Sequence, residues 1–574
     1  MSDCLRMKRH AVKRKWPMLL TAIIVVITLS GCTKVPPQNA PPPRVPSANA
    51  VLIELGDTIT VNGSGVMVDG STVNIMAGGT YSISGTLKDG QILVNTKDKN
   101  TVKLILNGVH IASSTSAPIY APKVKTMIIV LADGAENYVA DGDSYLITDS
   151  ESNEPNAAIF SKGDLTIEGN GSLTVDARYD NGIVSKDKLN IMGGHITVNS
   201  VSDGIRGRDR IVIKDGNITV NAKADGMQSN NDEDSAKGFV AIQGGTINIS
   251  AGEDGIQAET RVLISGGKTT ITAGGGSANS RRASTPSIWD VKSNSNSTGT
   301  SVSAKGIKAS VAVTIQDGTV AIDSSDDAIH SNDRLAINGG NVVLASGDDG
   351  IHSDSNLEIN GGDLSLTKSY EGIESAVITI NAGNIHLASS DDGINIVGSN
   401  DGSSINNHLT INGGYIAIDA AGDGLDIDGA VTMTGGTVVV NGPLTSENGA
   451  LDYDREFKIT GGTLVAVGSS GMAQAPDATS TQYSVMKNFS SVQPAGTIVH
   501  IETKEGQEIL TFAPTKAYQS VVLSSPKLKN GTTYSVFSGG SSTGTATDGL
   551  YSGGKYTGGT QTARFTISNM MTIL

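Results

Sequence analysis

The chain has 574 residues, 38% hydrophobic and only 4% aromatic, with 70 glycines and a net charge of −15. That length holds one long solenoid or two to four smaller domains, and the apolar content excludes a disordered chain. Acidity without a basic patch beyond the N-terminus argues against nucleic acid as a partner.

The first element is an export signal. Arg6, Lys8, Arg9, Lys13, Arg14 and Lys15 precede an apolar stretch from Met18 to Leu29, short for a bilayer span. It ends in Leu29-Ser30-Gly31-Cys32, which resembles the bacterial lipobox. The resemblance implies cleavage before Cys32, lipidation of that cysteine and display on the extracellular face of the bacterial cell membrane. A transmembrane anchor with a chance cysteine is the competing reading. Loss of residues 1–31, with six Lys/Arg and one Asp, takes the net charge from −15 to about −20. Cys4 leaves with them, so no internal disulfide forms. Residues 32–50, rich in proline, form a stiff spacer.

Residues 51–150 are β-rich but irregular, with runs such as Val102-Lys103-Leu104-Ile105-Leu106, and read as an N-terminal β cap. Residues 151–470 repeat one phrase, acid–Gly–Ile: Asp203-Gly204-Ile205, Asp225-Gly226-Met227, Asp254-Gly255-Ile256, Asp349-Gly350-Ile351, Asp392-Gly393-Ile394 and Asp423-Gly424-Leu425. Between 306 and 393 the steps are 22, 22, 22 and 21 residues. In 349–370, Asp349-Gly350 reads as a turn. Ile351-His352-Ser353, Leu357-Glu358-Ile359 and Leu364-Ser365-Leu366 read as three alternating strands. Three strands and three turns, stacked at about 4.8 Å per rung, predict an all-β parallel β-helix of about twelve rungs. A calcium roll repeats every nine residues or so, and a propeller blade needs about 40 to 50. Ile351, Leu357, Ile359, Leu364 and Leu366 are expected inside; His352 and Glu358 outside.

Insertions at 230–237, 274–304 and 398–407 interrupt the rhythm. Residues 471–574 lose the period and read as a C-terminal β region.

Stacking places acids above one another: Asp203, Asp225 and Asp254 as one group; Asp326, Asp327, Asp348, Asp349, Glu371, Asp391 and Asp392 as another. Carboxylates about 5 Å apart repel unless solvated, protonated or bridged by a cation, and calcium suits carboxylates and turn carbonyls. Asp-Gly is also turn chemistry in its own right, so the two readings compete. The outward stripe Arg206, Gln228, Gln257, Lys308, His330, His352, Glu374, Asn395 and Asp426 resembles a groove for an extended polymer. Lys305 or Lys308 is the base if the protein is a lyase; relief of repulsion is the competing role. Trp289 with Arg281 and Arg282 offers stacking on a sugar and pairing with carboxylates, or it anchors the insertion.

Ala157-Ala158-Ile159-Phe160-Ser161-Lys162-Gly163-Asp164-Leu165-Thr166-Ile167 is one of several separated motifs that carry a family resemblance. The others are Asp203 to Asp209, Lys305 to Ala309, Asp326 to Ser331 and Asp548 to Gly554. Together they resemble the bacterial carbohydrate-binding β-helix proteins that look like pectate lyases. The resemblance covers about 51–574. It implies a right-handed β-helix, bound calcium and recognition of plant cell-wall polysaccharide such as polygalacturonate or cellulose, without a firm tie to catalysis. The expectation is a calcium-dependent, non-catalytic polysaccharide-binding monomer that reaches the membrane only through its lipid. A calcium-dependent pectate lyase and an adhesive surface rod are the alternatives.

Overall fold

The computed structural model describes residues 50–146, 153–280, 303–397 and 407–574. The signal segment, Cys32, the proline-rich spacer to residue 49, and Arg281, Arg282 and Trp289 lie outside the described residues.

The described chain is all-β. A long sheet is built mainly of parallel pairings, consistent with a β-solenoid. One turn reads Ile329–Ser331, Arg334–Ile337 and Asn341–Ser346. Each strand pairs in parallel with its equivalent one turn on. Ile307 faces Ile329, which faces Ile351, then Ile373 and Ile394. At the next turn the first two strands merge into one, Ile351–Ile359. Alternation decides which side is buried: Ile351, Leu357, Ile359, Leu364 and Leu366 are buried in the core, and Glu358 is exposed. Small aliphatics suffice because each turn covers the apolar face of its neighbour.

Parallel stacking also runs through 51–146. Val51–Leu55 pairs in parallel with Gly79–Leu87, and that strand with Val102–Ser113. Antiparallel pairings hold Thr60–Asn62 to the first strand and Val66–Asp69 to Thr72–Ile75. At the other end, Thr463–Gly468 pairs antiparallel with Tyr518–Ser524, so its free edge is covered. A six-stranded antiparallel sheet follows, around Val499, Phe512, Tyr534 and Val536.

The phrase glycine has a different purpose from the turn role expected of it. A Cβ at Gly204 would overlap Val220 Cγ1, and one at Gly350 would overlap Leu366 Cδ2. This glycine lets the backbone lie against the core. Left-handed backbone is found instead in the Gly-Gly pairs, as at Gly340 (φ 87°) and Gly362 (φ 91°).

Candidate functional site

The acids form one column, not two groups. The backbone N–H after each ladder residue bonds the carbonyl of the next ladder residue: Gly204 to Asp225, Gly226 to Asp254, Gly255 to Lys305, Gly306 to Asp327, Ala328 to Asp349, Gly350 to Glu371, Gly372 to Asp392 and Gly393 to Asp423. The insertion between Asp254 and Lys305 hides this register in the sequence.

Most ladder acids are buried: Asp203, Asp225, Asp254, Asp327, Asp349 and Asp423 are each at most 8% exposed. Their carboxylates accept backbone N–H groups from the next turn. Asp203 accepts from Asp225 at 3.1 Å, Asp225 from Asp254 at 3.0 Å, Asp254 from Lys305 at 2.8 Å and Asp327 from Asp349 at 3.1 Å.

The outward stripe runs in register beside this column. Arg206, Gln228, Gln257, Lys308, His330, His352, Glu374, Asn395 and Asp426 are successive parallel partners. Several of them reach back three positions to the ladder. Arg206 pairs with Asp203 at 3.2 Å, Gln228 donates to Asp225 at 2.7 Å, His330 meets Asp327 at 2.8 Å and His352 meets Asp349 at 3.1 Å. The imidazoles stack with ring centroids 4.8 Å apart. Lys308 lies 3.4 Å from Asp254.

These partners split the ladder electrostatically. Burial alone would raise Asp327, but the bond to His330 and the charge of Lys305 hold it well below the usual carboxylate range. Lys305 contacts Asp326 at 2.8 Å and Asp327 at 2.6 Å. Burial works against its charge, but those two carboxylates hold it above its ordinary value. Lys305 is thus held in an ion pair with both carboxylates. Without such a cation, burial and like-charged neighbours dominate. Asp225 is pushed up to about 7, by burial first and then by Asp254 and Asp203. Asp392 reaches about 7 through burial and Asp391. Asp426 reaches about 7 through burial and Asp392.

Carboxylates also gather toward the C-terminal end of the strip. Glu371, Asp391 and Asp392 each offer an oxygen, all within 4.8 Å of one another, and Asp392, Asp423 and Asp426 do the same. A Cβ on Gly422 would overlap both Asp391 Oδ1 and Asp392 Oδ1, so only glycine fits against this pair. Among the described residues no lysine or arginine pairs with these five carboxylates. An all-oxygen donor set of this kind fits a hard cation such as calcium. Asp203, Asp225 and Asp254 fit one less well, because Arg206, Gln228 and Lys308 already engage them. Asp326, Asp327 and Asp348 also converge, with Lys305 among them; His330 joins Asp327 and His352 in a mixed cluster. Asp423 and Asp426 complete the cluster although neither belongs to an acidic doublet; their signal was the phrase Asp423-Gly424-Leu425 itself.

The described ends of the 274–304 insertion flank the strip. On leaving, Ser277 N–H bonds Asp323 at 2.6 Å; on returning, Ser303 Oγ donates to Asp254 at 2.7 Å.

The fold and site define an all-β protein with a stacked parallel sheet and an acid-backed polar strip along one face. Residues 69–350 match the family model described as carbohydrate-binding domain-containing protein. Over 184 residues the chain is 38% identical to a carbohydrate-binding domain-containing protein of Acetivibrio thermocellus, an overlap covering 32% of this chain and 64% of that relative. The chain spans less than two thirds of that relative's length. It is also similar, at 38% identity and a TM-score of 0.38, to the structure of a polysaccharide lyase-like protein from C. thermocellum in a gadolinium derivative. That overlap covers 39% of this chain and 92% of that one.

Proposed function

We propose that this protein is a lipid-anchored, non-catalytic binder of plant cell-wall-type polysaccharide, polygalacturonate or cellulose, and that it uses calcium to do so. The supporting observation is the grouping of Glu371, Asp391 and Asp392, whose carboxylate oxygens lie within 4.8 Å of one another, with no lysine or arginine paired to them among the described residues. These residues hold the ion, and Asn395 orients Glu371 by donating to it at 2.5 Å. Bound calcium supplies the positive charge that lets one polyanion hold another. The stripe from Gln257 through Lys308, His330 and His352 places one polar side chain at every turn in register, a repeat suited to an extended chain of sugars.

Retention on pectate in a pull-down is expected to be much stronger in calcium than in chelator. Retention unaffected by chelator and by high salt overturns this reading. The lyase alternative rests on Lys308 more than on Lys305, because two carboxylates engage Lys305 at short range and only one approaches Lys308. An unsaturated, UV-absorbing uronide product formed with calcium would establish it.

A further inference from the structure

A second groove, of 570 Å³, lies one strand further along each turn, away from the acidic strip. Its floor is apolar at positions that face outward: Val212, Ala241 and Leu263 are parallel partners on successive turns. One wall stacks Arg210, Phe239 and Arg261 in register, and Lys214 stands on the other. The Arg261 guanidinium lies over the Phe239 ring at 4.4 Å from its centroid, which holds the planar head in place.

These cations are unspent in a strongly acidic protein. Among the described residues, no carboxylate pairs with Arg210, Lys214 or Arg261. Arg210 Nε is buried and has no hydrogen-bond partner. The one carboxylate in the groove, Glu168, is engaged by Lys103 at 3.0 Å. A buried guanidinium N–H without an acceptor is costly, and a carboxylate is the ligand that satisfies it with two parallel bonds.

We infer that this groove is a calcium-independent site for carboxylate-bearing sugars, that is, a stretch of oligouronate. The arginines, two turns and about 10 Å apart, engage carboxylates on alternate sugars, and the apolar floor packs the C–H faces of the rings. The site is separate from the cluster at Glu371, Asp391 and Asp392, so the two can be tested apart.

The probe is a galacturonate oligomer titrated calorimetrically into the protein in excess chelator. Binding is expected to persist. It should weaken at least tenfold in the double variant Arg210→Gln, Arg261→Gln, while calcium-dependent retention on pectate stays at its original level. The single variant Arg261→Gln, at an exposed position, should show a smaller loss with unchanged melting temperature and guards against misfolding of the double variant. A neutral cello-oligosaccharide of equal length should bind at least tenfold more weakly. No binding in chelator, or binding that both variants leave unchanged, overturns the inference. Loss of calcium-dependent retention alone would count only against the proposed function.

Discussion

Asp225 donates its backbone N–H to Asp203 Oδ1, 22 residues earlier, at 3.1 Å. The same bond recurs up the column and explains why buried acids are kept there. At Asp203, Asp225, Asp254, Asp327, Asp392 and Asp423 the carboxylate satisfies a backbone donor that would otherwise be orphaned. Asn181 does the same for Asp203 at 3.1 Å without any charge, so the ladder needs an acceptor and not an anion.

That difference is measurable. Asp225→Asn keeps the acceptor and removes a buried charge, so stability at pH 8 in chelator should hold or rise. Asp225→Ala strands the Asp254 N–H and should cost about 1–3 kcal/mol. Denaturant unfolding of both variants decides; equal losses would contradict the acceptor role.

Lys305 is predicted to matter for folding. Lys305→Met leaves Asp327 buried without its ammonium partner and should destabilise by roughly 3–5 kcal/mol. Adding Asp327→Asn should recover much of that loss, as read by thermal melts. A Lys305→Met protein of unchanged stability would return this lysine to the list of chemical candidates.

Stability in chelator should fall as pH rises from 5 to 8. Asp225, Asp392 and Asp426 titrate at about 7 in the fold, above the ordinary carboxylate value. Between that value and 7 the folded state therefore binds more protons than the unfolded one, and ionisation costs stability as pH climbs. Asp327, held low, opposes this only in stronger acid. The melting temperature should be several degrees higher at pH 5 than at pH 8. A lower one at pH 5 contradicts the assignment.

Calcium should raise the melting temperature more at pH 8 than at pH 5, because protonated carboxylates bind it poorly. Asp391→Asn with Asp392→Asn should remove most of that calcium-dependent increment, and elemental analysis should show less bound metal. An increment untouched by both substitutions would move the ion elsewhere.

A Cβ at Gly204 should cost about 1–3 kcal/mol, because Val220 must shift within a packed core. Ala328 holds the equivalent place two turns above Gly255, so the position tolerates a methyl only where the neighbouring core leaves room for it. A thermal melt of Gly204→Ala tests this.

The period, the inward column from Ile205 to Leu425 and the outward stripe were all legible in the sequence, because alternation along a strand dictates which side is buried. The acids were legible as two stacked groups, but neither as one column nor as backbone acceptors, since their partners lie a whole turn away. Across the insertion, Asp254 and Lys305 are 51 residues apart and yet bonded. The arginine–phenylalanine groove left no motif either, because Arg210, Phe239 and Arg261 become neighbours only when successive turns are laid on one another. Side-chain periodicity is a local property of the backbone and can be read residue by residue. Which charges are offset and which are left over depends on distances between turns, and those exist only in the folded stack.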